Sequence, residues 1–143
     1  MPRVKLKPLE SYGFSISLPV RTTDLNSADH LAAYALVGML DEAYARFVRQ
    51  LELEKPGFGA DNLGSINADL QVNYQGEGKL HDELCIEVGL CDVGGKSFRV
   101  HYRVTAGKRP IALAEIGVVC FDYRDKKPAP LPKVFLDAIS KFS

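Results

Sequence analysis

The chain has no excess of charge of either sign, because 18 lysines and arginines balance 18 aspartates and glutamates. Without a one-signed field there is little to attract nucleic acid or an anionic membrane non-specifically, so a polyanion-binding role loses its main support. Apolar runs of membrane-spanning length are also missing. The longest, residues 31–40, has ten members, against the roughly 20 that a bilayer-spanning helix needs. The opening MPRVKLKPLE holds neither an apolar core nor a small-residue cleavage site, which makes a cytoplasmic location the expectation. Cysteine is scarce: Cys85, Cys91 and Cys120 are odd in number and fit no zinc spacing, so they read as small hydrophobes in a reducing compartment. His30, His81 and His101 show no i,i+4 pairing, and no metal site is expected. A G-x-S-x-G elbow is absent, which removes an α/β-hydrolase nucleophile. Gly94-Gly95-Lys96-Ser97 looks like the tail of a phosphate-binding loop, but Leu90 stands where its first glycine belongs and a strand follows where a helix should.

What remains is an ordinary globular composition, 46% hydrophobic and 25% charged over 143 residues, which suits one domain spanning residues 1–143. A chain of this size buries about 68–70% of its unfolded surface and needs no disulfide or metal to hold a core. Between residues 12 and 20, Phe14, Ile16, Leu18 and Val20 alternate with polar positions, the mark of a half-buried strand. A polar segment, residues 21–29, then leads into helix formers up to about residue 53, with Ser27 as the expected N-cap and Asp29 in the first turn. At about 1.5 Å per residue this helix would run roughly 35 Å. Its first half is apolar nearly all round and therefore expected to be enclosed.

Residues 55–64 form a Gly/Pro/Asn loop, and four further alternating runs follow. The first sets Ile66, Ala68, Leu70, Val72 and Tyr74 against Asn67, Asp69, Gln71 and Asn73. The second buries Leu84, Ile86, Val88 and Leu90. The third faces Phe98, Val100, Tyr102 and Val104 away from Arg99, His101 and Arg103. The fourth, residues 111–123, is apolar on both faces. Gly94-Gly95 predicts a two-residue hairpin turn, Gly107-Lys108 another turn, and residues 134–142 a short amphipathic helix. One strand, one long helix, four strands and a short helix make an α+β domain with an antiparallel sheet.

The polar density of residues 24–30 beside an otherwise apolar helix is the most informative local feature. Asp24, Asn26, Ser27, Asp29 and His30 collect where free helical N–H groups can hold a developing oxyanion. The same residues also suit plain helix capping.

The pattern Val20-Arg21-x-x-Asp24-x-Asn26-x-x-Asp29-His30-Leu31-Ala32-Ala33, with Asp41-Glu42-Ala43-Tyr44 in the helix, resembles the hotdog-fold acyl-CoA thioesterases of the 4-hydroxybenzoyl-CoA thioesterase type. Val72-Asn73-Tyr74, His81-Asp82-Glu83-Leu84 and Gly95-Lys96-Ser97 extend the likeness along about residues 12–140. It implies a hotdog fold, with an antiparallel five-stranded sheet wrapped around one long central helix. The activity implied is hydrolysis of an acyl-CoA or acyl-carrier thioester, with no cofactor. The alternative is a catalytically inactive hotdog protein that binds acyl thioesters or serves as an assembly partner. The implied assembly is a homodimer, which two pairs could double into a tetramer.

In that family the second aspartate of D-x-D is nucleophile or base, and here the position is Asn26, whose amide takes no proton from water near neutral pH. Two replacements stay open: Asp29 as the carboxylate, or His30 as general base oriented by Asp24 or Glu42. The resemblance also implies an acyl tunnel beside Tyr34, Val37 and Gly38, oxyanion donors among the amides of Ser27 to Asp29, and CoA phosphates near Lys96, Arg99 or Lys108.

Overall fold

In the computed structural model, residues 3–54 and 57–142 are described; Lys55 and Pro56, part of the expected loop, lie outside them, as do both chain ends of the expected domain. The chain begins with an extended segment, residues 3–12, and enters β1 (Phe14–Pro19). A 3-10 turn (Thr22–Asp24) leads to α1 (Ala33–Gln50). Strands β2 (Leu63–Tyr74), β3 (Glu83–Cys91), β4 (Ser97–Ala106) and β5 (Arg109–Asp122) follow, then a short β6 (Lys127–Pro128) and α2 (Lys133–Ile139). All pairings are antiparallel, in the order β1-β3-β4-β5-β2, with β6 beside β5. Among the described residues the sheet thus has six strands where five were expected, because the proline-rich stretch after β5 turns back for one two-residue pairing, Phe121 with Pro128 and Asp122 with Lys127.

Helix α1 is 18 residues long, about 27 Å at 1.5 Å per residue, shorter than the pattern suggested. It starts at Ala33, after an extended Ala32, and no side chain caps it. Ser27 is therefore not its N-cap, and Asp29 sits in a left-handed turn at φ 59°, outside the helix. The helix starts late because Asn26 closes residues 26–30 on themselves. Its Oδ1 accepts from Ala28 N–H (2.9 Å) and His30 N–H (3.2 Å), while its backbone N–H donates to the His30 carbonyl (2.8 Å). Asn side chains favour such local closures over continuing helix.

One face of α1, carrying Ala35, Leu36, Met39, Leu40, Ala43 and Phe47, packs into a core shared with Ile86, Val100, Val104 and Ala114 of the strands. The i, i+4 spacing of these positions is the apolar stripe of a helix on a sheet. The opposite face is open, not enclosed: Ala33, Tyr34, Gly38 and Glu42 are exposed, Tyr34 at 68%. In one chain the sheet covers only one side of the helix. Phe58, Phe98 and Phe135 close the far end of the core, with ring centroids 4.8–6.2 Å apart.

Two sheet expectations are corrected. A bulge between Asn67 and Asp69 shifts the β2 register, so Ile66 pairs with Val119 while Leu70 pairs with Ile116. Neighbouring positions on β5 face opposite ways, so Ile66 and Leu70 do not share a face. The β3–β4 connection spans residues 92–96 instead of a two-residue turn, with the Gly94 N–H donating to the Ser97 carbonyl. Asp92, at φ 49°, takes the left-handed position of this longer loop.

Candidate active site

Residues 31 and 32 are the extended lead-in to α1, and consecutive extended residues point their N–H groups opposite ways. The Ala32 N–H donates to the Asp24 carbonyl and the Leu31 N–H to the Gly78 carbonyl, both at 2.8 Å. The helix entrance is thus held between two loops, residues 20–25 on one side and residues 75–79 on the other. Each loop brings a polar pair.

On the first side lies Asp24, only 5% exposed. Burial works against its charge, but Arg21 holds the carboxyl below the usual carboxylate range. The Arg21 backbone N–H donates to Oδ2 at 2.9 Å, and the guanidinium donates to both oxygens at 3.2 and 3.3 Å. Asp24 is therefore a charged anchor for the 3-10 turn. The Tyr34 hydroxyl donates to the neighbouring Thr23 carbonyl at 2.6 Å. Along this side runs an open groove of about 570 Å³, lined by Leu18, Asp24, Tyr34, Gly38, Met39 and Glu42 among others. Glu42 is engaged with Arg46, one helical turn on, at 2.7 Å.

On the second side, His30 Nε2 lies 3.1 Å from Glu77 Oε2. The partner of the histidine is thus Glu77 of the β2–β3 loop, whereas Asp24 and Glu42, the orienters expected from sequence, are held by arginines. The glycines around Glu77 hid it: Gln75-Gly76-Glu77-Gly78-Lys79 carries no motif, and only tertiary pairing brings the loop to residue 30. Glu77 stands immediately before Gly78, the glycine whose carbonyl accepts from Leu31, and that contact is visible only in the structure.

The structure brings together Asp24, Asn26, Asp29, His30, Ser27 and Tyr34 within one loop and the first helical turn, with Gly38 and Glu42 one and two turns on. It does not bring Lys96 and Arg99 to them. Lys96 lies in the β3–β4 loop, and Arg99 follows at the start of β4, the end of that strand remote from Ala106 and the Asp82 corner. Arg99 is also engaged by two carboxylates, bonding both oxygens of Asp69 and lying 3.1 Å from Glu115.

Of the expected oxyanion donors, Ser27 to Asp29, the amides of Ala28 and Asp29 are already engaged. Asp29 N–H donates to the Asn26 carbonyl, and the Ala28 and His30 amides are taken by Asn26 Oδ1. The uncapped first turn of α1, from Ala33, is where unpaired amides begin, since Leu36 N–H already bonds the Ala32 carbonyl.

Among the described residues, the cluster with metal-ligand spacing is Cys91, Asp92 and Glu115, whose ligand atoms lie within 4.8 Å of one another. It contains no histidine and already has a cation, Arg99, on Glu115. Burial, with Glu115 beside it, pushes the Cys91 thiol up to about 11, so it is protonated near neutral pH and a poor ligand.

The sequence pattern of the thioesterase-like superfamily matches residues 20–139. The chain belongs to that superfamily. A curated relative, the 1,4-dihydroxy-2-naphthoyl-CoA hydrolase of Synechococcus elongatus, is 27% identical over 121 residues, covering 82% of this chain and 88% of its own. Among solved structures, a 1,4-dihydroxy-2-naphthoyl-CoA thioesterase from Synechocystis superposes with a TM-score of 0.79 at 17% identity, covering 89% of this chain and 95% of that one. A probable thioesterase from Escherichia coli gives 0.75 at 20% identity, with 90% and 97% covered. These structures share the hotdog-like arrangement of antiparallel sheet and helix. Among the described residues, no helix is long and apolar enough to cross a membrane.

Proposed function

We propose that this thioesterase-like chain hydrolyses an acyl-CoA or acyl-carrier thioester, by water activated at the helix entrance. The observation that carries the reading is the uncapped first turn of α1, where Tyr34 and Ala35 line the groove and His30 stands just before the helix on the other side of its entrance. Unpaired helical amides stabilise an oxyanion, and a thioester carbonyl develops one when water adds. The named relatives, a CoA-thioester hydrolase and thioesterases, support the same chemistry. Water supplies the oxygen, His30 takes its proton, the tetrahedral intermediate loses its C–S bond, and the departing thiolate receives that proton back. Free acid and thiol result, with no cofactor in the step. Of the two replacements for the family carboxylate, His30 is preferred, because it is held from both backbone and ring, whereas Asp29 stands exposed in a turn.

Asn26 favours a second reading, a hotdog protein that binds acyl thioesters without cleaving them. A panel of short, medium, long and aromatic acyl-CoAs, followed as free thiol, decides between the two. Turnover that His30→Ala abolishes supports hydrolysis; tight binding with no turnover across the panel retires it.

The assembly is proposed to be a homodimer in which two β2 edges meet and the open face of α1 is covered. β2 is an unpaired edge, and Leu70 and Tyr74 are 46% and 55% exposed on it. A face-to-face tetramer through the outer sheet surface is less favoured. That face is overlaid by residues 3–12, its charges are already paired, and Asn67, on the far side of the bulge, is not on it. A single domain working in the cytoplasm is the proposed setting.

A further inference from the structure

We propose that Glu77 is the positioning residue for His30, the base that stands in for the acid missing at position 26. This rests on the hydrolase reading above. In the neutral ring, Nε2–H donating to Glu77 Oε2 at 3.1 Å leaves the lone pair on Nδ1, which becomes the nitrogen that accepts the proton from water. The carboxylate then stabilises the imidazolium formed in that step.

An exposed ion pair by itself carries little, and His30 and Glu77 are 38% and 62% exposed. Both partners, however, are held in place from elsewhere in the fold. The His30 backbone is fixed at N–H and at C=O by Asn26. The Glu77 carbonyl accepts from Arg109 Nη1 at 2.9 Å, while Nη2 of the same guanidinium bonds Asp82 at 2.6 Å. Asp82 in turn accepts from Lys79 N–H at 2.8 Å, on the other flank of the loop. Gln75 and Gly76 N–H both donate to the Ile111 carbonyl, and a Cβ on Gly76 would lie 2.5 Å from the Pro110 carbonyl, so only glycine lets the chain pass there. Gly78 closes the loop onto Leu31, next to His30. The Glu77 backbone is thus clamped on both sides at the height of the histidine, and a fixed backbone reduces the entropy lost in aligning its side chain.

The test is kinetics of Glu77→Gln, Glu77→Ala, His30→Ala and the double variant His30→Ala/Glu77→Ala on whichever acyl-CoA the wild type cleaves, with 15N NMR of the His30 ring. Expected are a fall in kcat of about tenfold for Gln and about a hundredfold for Ala, with KM within about twofold. The double variant should be no slower than His30→Ala, because Glu77 acts through the ring. The Nε2 and Nδ1 resonances of the neutral ring, well separated in the wild type, should move towards one another in Glu77→Ala. Glu77 variants with wild-type kcat beside a slow His30→Ala overturn the inference and leave the hydrolase reading standing. A wild type inert on every thioester overturns that reading; in that case an unmoved pair of ring resonances overturns the inference too, and a moved pair upholds the positioning contact.

Discussion

The Tyr12 hydroxyl lies 3.1 Å from Nδ1 of His101 and ties the N-terminal segment to the outer face of the sheet. Leu9 N–H donates to the same hydroxyl oxygen, and the Arg103 guanidinium stacks 4.7 Å over the Tyr12 ring. His101, read from sequence as one of a row of outward polar residues, is in consequence only 3% exposed.

This burial gives stability a pH dependence. Desolvation pushes His101 below the usual imidazole range; Glu115 and the Lys7 carbonyl oppose it, and Arg103 adds to it. The folded value lies below the unfolded one, near 6.5, so between them the unfolded chain binds more protons. The contribution of His101 is therefore present above about pH 6.5 and lost as pH falls through the folded value. Urea midpoints measured from about pH 5 to about pH 7.5 should rise more steeply in the wild type than in His101→Gln. Parallel curves would contradict this.

Two glycines should respond differently to alanine. A Cβ on Gly89 would meet Leu9 Cδ1 at 2.6 Å, the tip of a flexible side chain that can turn away. A Cβ on Gly13 would fall 1.9 Å from the Phe142 carbonyl oxygen, where backbone must move. Gly89→Ala is expected to cost about 1 kcal/mol and Gly13→Ala about 3 kcal/mol, read from denaturant unfolding. Faster proteolysis near the C-terminus in the second variant would locate the damage.

Asn26 separates structure from chemistry. Asn26→Asp keeps an oxygen acceptor for the Ala28 and His30 amides, so the loop should survive and thioester turnover should rise about tenfold with the restored carboxylate. Asn26→Ala loses both bonds at an exposed site, at about 1 kcal/mol, and should slow turnover by freeing the His30 backbone. Equal kcat in all three proteins would show that the loop does not shape the reaction.

Arg99 is expected to matter for the sheet rather than the substrate. It joins Asp69 on β2 to Glu115 on β5, and the two carboxylates raise its affinity for its proton further. Arg99→Ala should lower Tm by several degrees while KM for an acyl-CoA stays within about twofold, since it strands a half-buried Glu115. A large rise in KM with unchanged Tm would return Arg99 to the CoA-contact role implied by the resemblance.

Much of this protein can be read from residue order alone. Period-two alternation places β3, β4 and β5 correctly because their inner residues, such as Ile86, Val100 and Ala114, have one way to leave water. The run of helix formers places α1, although a first half apolar nearly all round does not show which face is buried, and the motif residues from Arg21 to His30 are legible as well. Local patterns do not carry events that depend on distant chain. The bulge at Asn67/Asp69 reverses half of β2 without any glycine or proline to announce it. The burial of His101 is imposed by residues 3–12, and the late start of α1 follows from hydrogen bonds of Asn26 that compete with the helix. The partner of His30 comes from a loop 47 positions away, docked through Arg109 and Gly78, and no spacing rule reaches that far. Sequence alone determined which surfaces must be buried; the tertiary structure decided which polar groups meet, because those contacts depend on the path of the backbone and not on its periodicity.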